Sequence, residues 1–220
     1  MTNLFLYMSI PEEPTEILPL FPLNVVLFPQ SQLHLHIFEE RYKTLIAECI
    51  KFDSSFGIIL IHEQQLRTVG CTAIIKQITK HYADGRKDIV VEGRRRFQLH
   101  NFVEAPHPYY SGRISWVDDV DEEVDEQLRV HAVNLHNRFV KVVFTGIVEL
   151  VDIHDIRKAR SFHLVQKSGM ELIERQVFLA MNSENKRLQF LIQHLEALLP
   201  LLASKKTVEE LAKNDGYVQK

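Results

Sequence analysis

Histidines, cysteines and a dense arginine run are the residues of this chain with chemistry to offer. There are eleven histidines and two cysteines. His34 and His36 stand two apart on an extended segment, where alternate side chains share a face, so both could point at one ligand. A zinc site would need one or two further ligands and a second shell to orient them. Neither His-Glu-x-x-His nor Cys-x-x-Cys occurs, and His131 and His136, five apart, diverge on a helix. The expectation is scattered surface or half-buried histidines, with no metal and no cofactor. Cys49 falls on a helical face and Cys71 in a strand, which reads as two buried free thiols of a reducing compartment.

Gly93-Arg-Arg-Arg-Phe97 is the dense basic run. On a regular strand Arg94 and Arg96 share one face and Arg95 takes the other. Lys76, Lys80, Arg86 and Lys87 come from neighbouring strands, so a phosphate-binding patch is one reading. Asp84, Asp88 and Glu92 dilute it, and no aromatic stacking motif is interleaved. The loop Ala105-Pro-His-Pro-Tyr-Tyr110 is stiffened by two prolines. Tyr109 and Tyr110 combine an aromatic body with a polar end, which suits interfaces. They face opposite ways on a strand, so only one can be core. In Phe38-Glu-Glu-Arg-Tyr42, Phe38 and Tyr42 lie one helical turn apart and are expected to anchor a helix. Glu39 would cap its backbone donors, and Arg41 would tie it to the sheet by an ion pair.

The elements that must position these residues change character along the chain. Leu18-Pro-Leu-Phe-Pro-Leu-Asn-Val-Val-Leu-Phe-Pro29 is apolar, but Pro19, Pro22 and Pro29 exclude a helix. Short extended pieces are expected, with prolines at edges or strand starts. Apolar residues then fall at Phe38, Tyr42, Leu45, Ile46, Cys49 and Ile50, one face of a helix. Strands are predicted at residues 56–61, 70–79, 88–92, 97–103 and 110–117, with a hairpin turn at Asp84-Gly85-Arg86. One helix among mainly antiparallel strands makes an α+β pseudo-barrel over residues 1–117. Asp118 to Glu126 is acidic and suits the N-terminus of a helix. That helix runs from Val120 through Leu128 and Phe139 to Val142, ending near Gly146. Further helical patterns cover residues 153–165, including Ile156, then 170–181, and a last one from Asn182 or Ser183 as N-cap to Leu199. Residues 118–203 thus read as a four-helix bundle, and residues 204–220 as a polar, frayed tail.

Composition sets bounds. A hydrophobic share of 45%, a charged share of 25% and a net charge of −3 describe an ordinary globular protein. The residues up to Trp116 carry 12 basic and 12 acidic groups, the remainder 14 and 17. Neither half is a strongly basic module. No apolar run reaches the roughly 20 residues of a bilayer span. Met1 to Ile10 lacks a basic start and a small-residue cleavage site, so no signal peptide and a cytoplasmic location are expected.

The order of motifs resembles the N-terminal substrate-recognition domain of Lon-type ATP-dependent proteases. Leu18 to Pro29, then Ile37-Phe-Glu-Glu-Arg-Tyr42, Val69-Gly-Cys-Thr-Ala73, Asp84-Gly-Arg86 and Val91 to Phe97 carry the likeness. Weaker matches extend over Pro108-Tyr109, Glu174-Arg-Gln176 and Arg187-Leu188. The resemblance implies a barrel related to PUA-like folds, a folding role for Arg96 and Phe97, and a family position at Tyr109. It does not imply the protease itself. No Gly-Lys-Ser/Thr phosphate loop occurs among the eight glycines. Ser204-Lys205 is an adjacent pair on the polar tail, with nothing to form an oxyanion hole. The expectation is a free-standing, non-catalytic module for unfolded or extended polypeptide or for a protein partner. Tyr109, Tyr110, Phe38 and Tyr42 are the candidate contacts, in exposed patches or in a groove between barrel and bundle. The alternatives are an RNA-binding protein using Arg94, Arg95, Arg96 and Lys76, as PUA-like folds often bind RNA, and an adaptor docking through its helical half.

Overall fold

The computed structural model describes residues 15–144, 148–155 and 157–203. The expectations for Met1 to Ile10, for a helix end near Gly146, for Ile156 and for the tail with Ser204-Lys205 lie outside the described residues.

Six strands form one sheet in the order β2-β5-β4-β3-β1-β6, and a further β5–β6 pairing closes five of them into a ring. They are β1 (Glu16–Leu23), β2 (Gln32–Ile37), β3 (Phe56–His62), β4 (Gln65–His81), β5 (Lys87–Val103) and β6 (Tyr110–Val117), with helix α1 (Glu40–Phe52) between β2 and β3. β4 and β5 are long, bent strands of 17 residues each, where shorter pieces were expected. Between them Gly85 adopts φ +85°, the left-handed geometry the Asp84-Gly85 turn requires. β1 is not an edge strand. It runs parallel to β3 over Leu20–Leu23 and antiparallel to β6 over Glu16–Leu20. The prolines are tolerated because each lies beyond the end of one ladder. Pro19 precedes the β3 ladder and Pro22 follows the β6 ladder, so a missing N–H need not break a bond on that side.

Three apolar clusters hold the fold. Phe21, Tyr42, Ile46, Cys49, Phe56, Ile58, Cys71 and Val91 join α1 to the sheet. Leu18, Leu20, Ile59, Phe97, Leu99 and Ile114 make a second, separate cluster between strands. α1 buries Tyr42, Leu45, Ile46 and Cys49 as its spacing predicts, while Ile50 and Phe38 are exposed. Gly93 is required by close approach. Its carbonyl and N–H bond Gln30 and Ser31, and a Cβ there would sit 2.1 Å from the Phe28 oxygen.

The helices are α2 (Glu126–Val143), α3 (Ser161–Leu164), α4 (Leu172–Ala180) and α5 (Glu184–Leu198), with 3₁₀ turns at Val165–Lys167 and Leu199–Ala203. Their core includes Phe139, Leu164, Phe178, Leu188 and Leu195, and it takes in Phe28, Leu60 and Val69 from the strand-rich half. α2 starts at Glu126 rather than near Val120. The acidic stretch before it is an extended strap bonded to the start of α5. The Val120 N–H donates to Asn182 O, the Glu122 carboxylate accepts from Ser183 Oγ and Asn185 N, and the Asp125 N–H donates to Asn185 Oδ1. Asp125 then caps α2, accepting from Gln127 and Leu128 N–H. The helix expected over residues 153–165 is one short turn. Asp152 and Asp155 accept from backbone N–H groups two residues on, at His154 and Arg157, and so hold turns in place of a helix. Ser183 is the N-cap of α5, as expected.

His136 is buried on α2, and neither ring nitrogen has a hydrogen-bond partner among the described residues. Burial, aided by His163 and Lys167, lowers its pKa from 6.5 to about 4, so the folded protein holds it neutral. The unfolded chain takes up a proton below 6.5. The stabilisation is therefore present above that pH and is lost as pH falls towards 4, by about 3 kcal/mol. His136→Leu is expected to flatten the loss of melting temperature between pH 6.5 and 4, measured by circular dichroism.

Candidate functional site

β6 begins at Tyr110, which lies opposite Leu20 of β1, while Phe102 of β5 lies opposite Gly112. Residues directly opposite in an antiparallel pair share a face. Leu20 is fully buried, and a Cβ on Gly112 would meet Leu99 and Leu20, so this is the inner face of the ring. Tyr110 and Phe102 are nevertheless 47% and 49% exposed, with ring centroids 5.6 Å apart. They stand at the rim, where the ring of strands ends. Arg41, in the first turn of α1, reaches Tyr110. Its guanidinium lies 5.5 Å from the Tyr110 centroid and 4.6 Å from that of Tyr42, geometry in which a cation is held by ring quadrupoles. The Arg41 Nε donates to Glu39 at 2.9 Å. Tyr42 is the footing, buried and stacked on Phe21 at 3.8 Å, and burial raises its pKa.

The structure therefore unites Tyr42 and Tyr110 and separates the other two expected contacts. Tyr109 is buried. Its hydroxyl donates to Glu48 at 2.5 Å and its ring stacks on His107, which fastens the proline loop to α1. Burial, and then Glu48, push its phenol well up. Phe38 does not anchor α1. It precedes the helix, is 59% exposed and lies over His36, whose Nδ1 is 2.5 Å from Asp88. Glu39 makes no side-chain cap bond, because its carboxylate is engaged by Arg41. Sequence reasoning missed Phe102. The register shifts between Leu99 and Asn101, so strand alternation could not tell which way it points. The rim holds no nucleophile–base pair; it offers apolar ring faces with polar edges.

The basic run is divided between surface and interior. The β4–β5 register shifts between Cys71 and Ala73, with Arg94 and Arg95 bulged opposite Thr72. A bulge breaks alternation, so Arg94 and Arg95 are both exposed while Arg96 is buried. Thr72 Oγ accepts the Arg95 N–H that the ladder leaves over. Arg94 and Lys76 both pair with Glu92, and Arg95 pairs with Asp118 and covers Trp116.

Arg96 turns inward to the helices. It donates to the carbonyls of Leu179 and Met181 and, at 2.5 Å, to Asp119. Arg187 of α5, 1% exposed, donates to the same Asp119 through both terminal nitrogens, and to Met181 O, Glu184 and Ser161 Oγ. Phe162 lies against both guanidiniums, 4.2 Å from Arg187 and 5.3 Å from Arg96. Burial pushes the Asp119 pKa up, but Arg187 and Arg96 outweigh it and hold the carboxyl below its usual range. This network lies where the strand-rich and helical parts meet, near Phe28, Leu60 and Val69, which join the helical core.

Comparison with known proteins decides the family. The model of the ATP-dependent protease La (Lon) substrate-binding domain matches residues 17–197. The chain belongs to this family. It is 22% identical over 209 residues to the Lon protease of Vibrio parahaemolyticus, covering 87% of this chain and 26% of that protein. For the Lon protease of Escherichia coli K12 the values are 23% over 214 residues, 89% and 26%. The chain thus spans about a quarter of the length of the curated relatives it matches. The crystal structure of a Lon N-terminal domain protein from Xanthomonas campestris superposes with a TM-score of 0.65 at 25% identity, covering 81% of this chain and 98% of that one. The N-terminal domain of the Mycobacterium avium complex Lon protease superposes at 0.64 and 16% identity, covering 82% and 98%, and supports the α+β fold alone. No helix among the described residues is long and apolar enough to cross a membrane.

The junction can be tested directly. Asp119→Ala leaves two buried guanidiniums without their shared carboxylate and is expected to cost about 3 kcal/mol in urea unfolding. Asp118→Ala breaks only the exposed pair with Arg95 and is expected to cost under about 1 kcal/mol.

Proposed function

We propose that this chain is a non-catalytic polypeptide-recognition module of the cytoplasm, binding unfolded or extended protein segments without a cofactor. The observation that carries this reading is the half-exposed Tyr110–Phe102 pair braced by Arg41, in a member of a substrate-binding family. Two adjoining rings on a closed sheet present apolar area at low entropic cost, because their strands and the Arg41 contact already hold them. Aromatic anchors of this kind often dominate a protein interface. Tyr42 supports the rim from beneath. Carboxylate partners on Lys76, Arg94, Arg95 and Arg96 count against the RNA reading.

The test is fluorescence anisotropy with labelled, reduced and carboxymethylated α-lactalbumin, a permanently unfolded chain. Tyr110→Ala and Phe102→Ala are each expected to weaken binding about fivefold to tenfold, an interface hot-spot effect above about 1 kcal/mol. Melting temperature should hardly change, because both rings are half exposed. Raising salt from about 50 to about 200 mM should leave the affinity nearly unchanged, whereas a phosphate-binding surface would lose orders of magnitude. Wild-type affinity in both variants would remove the rim from the site.

A further inference from the structure

Among the described strands, β2 bonds β5 alone and stands outside the closed ring. Along Gln32–Ile37, the side turned away from β5 carries N–H and C=O groups that no described strand takes up. Among the described residues, no other backbone bond reaches this strand either. An open edge is a template for another extended chain, and proteins ordinarily blunt it with proline, lysine or bulges.

Two other open stretches of this sheet are blunted in those ways. β4 continues past Ala73, where β3 stops, but carries Lys76, Lys80 and register shifts at Ile75/Gln77 and Ile78/Lys80. β1 continues past Leu20, where β6 stops, but carries Pro22. β2 has none of these devices. Its sequence, Gln-Leu-His-Leu-His-Ile, lacks proline, lysine and glycine, and it pairs with β5 through six consecutive residues without a shift. Leu33 and Leu35 lie against the α1 cluster yet are only half-buried. A neighbouring strand is what would complete their cover. Phe38, one residue past the end of β2, adds an exposed ring.

We propose that the open edge of β2 is a docking site that takes an extended polypeptide segment as an added strand. This rests on the polypeptide-recognition reading and supplies its binding mode. The occupant follows from charge complementarity. The edge repeats partial positive N–H and partial negative C=O groups at a spacing that only another extended main chain matches. Main-chain bonds of this kind recognise conformation more than side chains, which suits unfolded segments of many sequences. Phe38 follows β2 directly and Glu39 holds the Arg41 that braces Tyr110, so one short stretch of chain joins edge and rim.

Amide hydrogen exchange of residues 32–37, followed by NMR on the full chain with and without saturating reduced, carboxymethylated α-lactalbumin, tests this. In the free protein alternate amides should exchange fast, those pointing away from β5, and bound polypeptide should slow that set at least tenfold. Polypeptide bound with no such slowing overturns the edge and leaves the rim reading standing. Outward amides already protected in the free chain also overturn it, since the edge would then be covered by this chain or a second copy. Absence of polypeptide binding removes both. Two variants add an independent check, because adjacent residues donate to opposite sides of a strand. Of His34→Pro and Leu35→Pro, one loses a bond to β5 and should melt lower. The other loses an outward donor, should keep its melting temperature and should bind about tenfold more weakly. Wild-type binding by the stable variant overturns the proposal.

Discussion

One carboxylate, Asp119, decides how the strand-rich and helical halves meet. It is shared by Arg96, from the bulged part of β5, and Arg187, from α5. Two guanidiniums enter a water-poor junction, and each would be costly there alone. Asp119 and Glu184 bring two negative charges to balance them, while Leu179 O, Met181 O and Ser161 Oγ take up the remaining donors. This arrangement fixes several other features. The strap after β6 has to be extended for Asp119 to face inward, α5 has to start where Ser183 and Asn185 can hold Glu122, and Phe162 has to lie against both arginines. Networks of this kind are weak sources of net stability but strong constraints on geometry.

Several element positions were legible because the signals were local. The β6 limits, the Asp84-Gly85 turn, the inward face of α1 and the Ser183 cap follow from spacing, turn chemistry and capping alone. What was hidden depended on partners distant in sequence. Arg96 could not be separated from Arg94 by alternation, because a bulge opposite Thr72 reverses the facing. The acidic stretch resembled a helix start because its carboxylates suit one, and nothing local reveals that Asn182, Ser183 and Asn185 hold it extended. Residues 153–160 kept a helical period, but Asp152 and Asp155 close turns instead. At the candidate site, Tyr110 stood out by its proline loop and chemistry, whereas Phe102 and the stacking of Arg41 exist only once β5, β6 and α1 are assembled.

Several basic side chains are directed inward or to neighbouring carboxylates. Lys76, Arg94, Arg95, Arg96 and Arg187 all have carboxylate partners. On the proposed reading, the surfaces offered to a polypeptide are main chain at the β2 edge and the aromatic rings of the rim. Both kinds of surface respond to the state of a polypeptide, extended and with apolar groups uncovered, more than to its sequence.

The two cysteines have a consequence of their own. Cys49 on α1 and Cys71 on β4 belong to the same buried cluster, and burial drives the Cys71 thiol up to about 12 and raises Cys49 as well. Thiolate is the reactive form, so both sulfurs are inert while α1 stays seated on the sheet. Each becomes an ordinary thiol as soon as the helix lifts. The protein thus carries a native reporter of that motion, and the rate at which a thiol reagent labels it measures how often the helix next to the rim comes away.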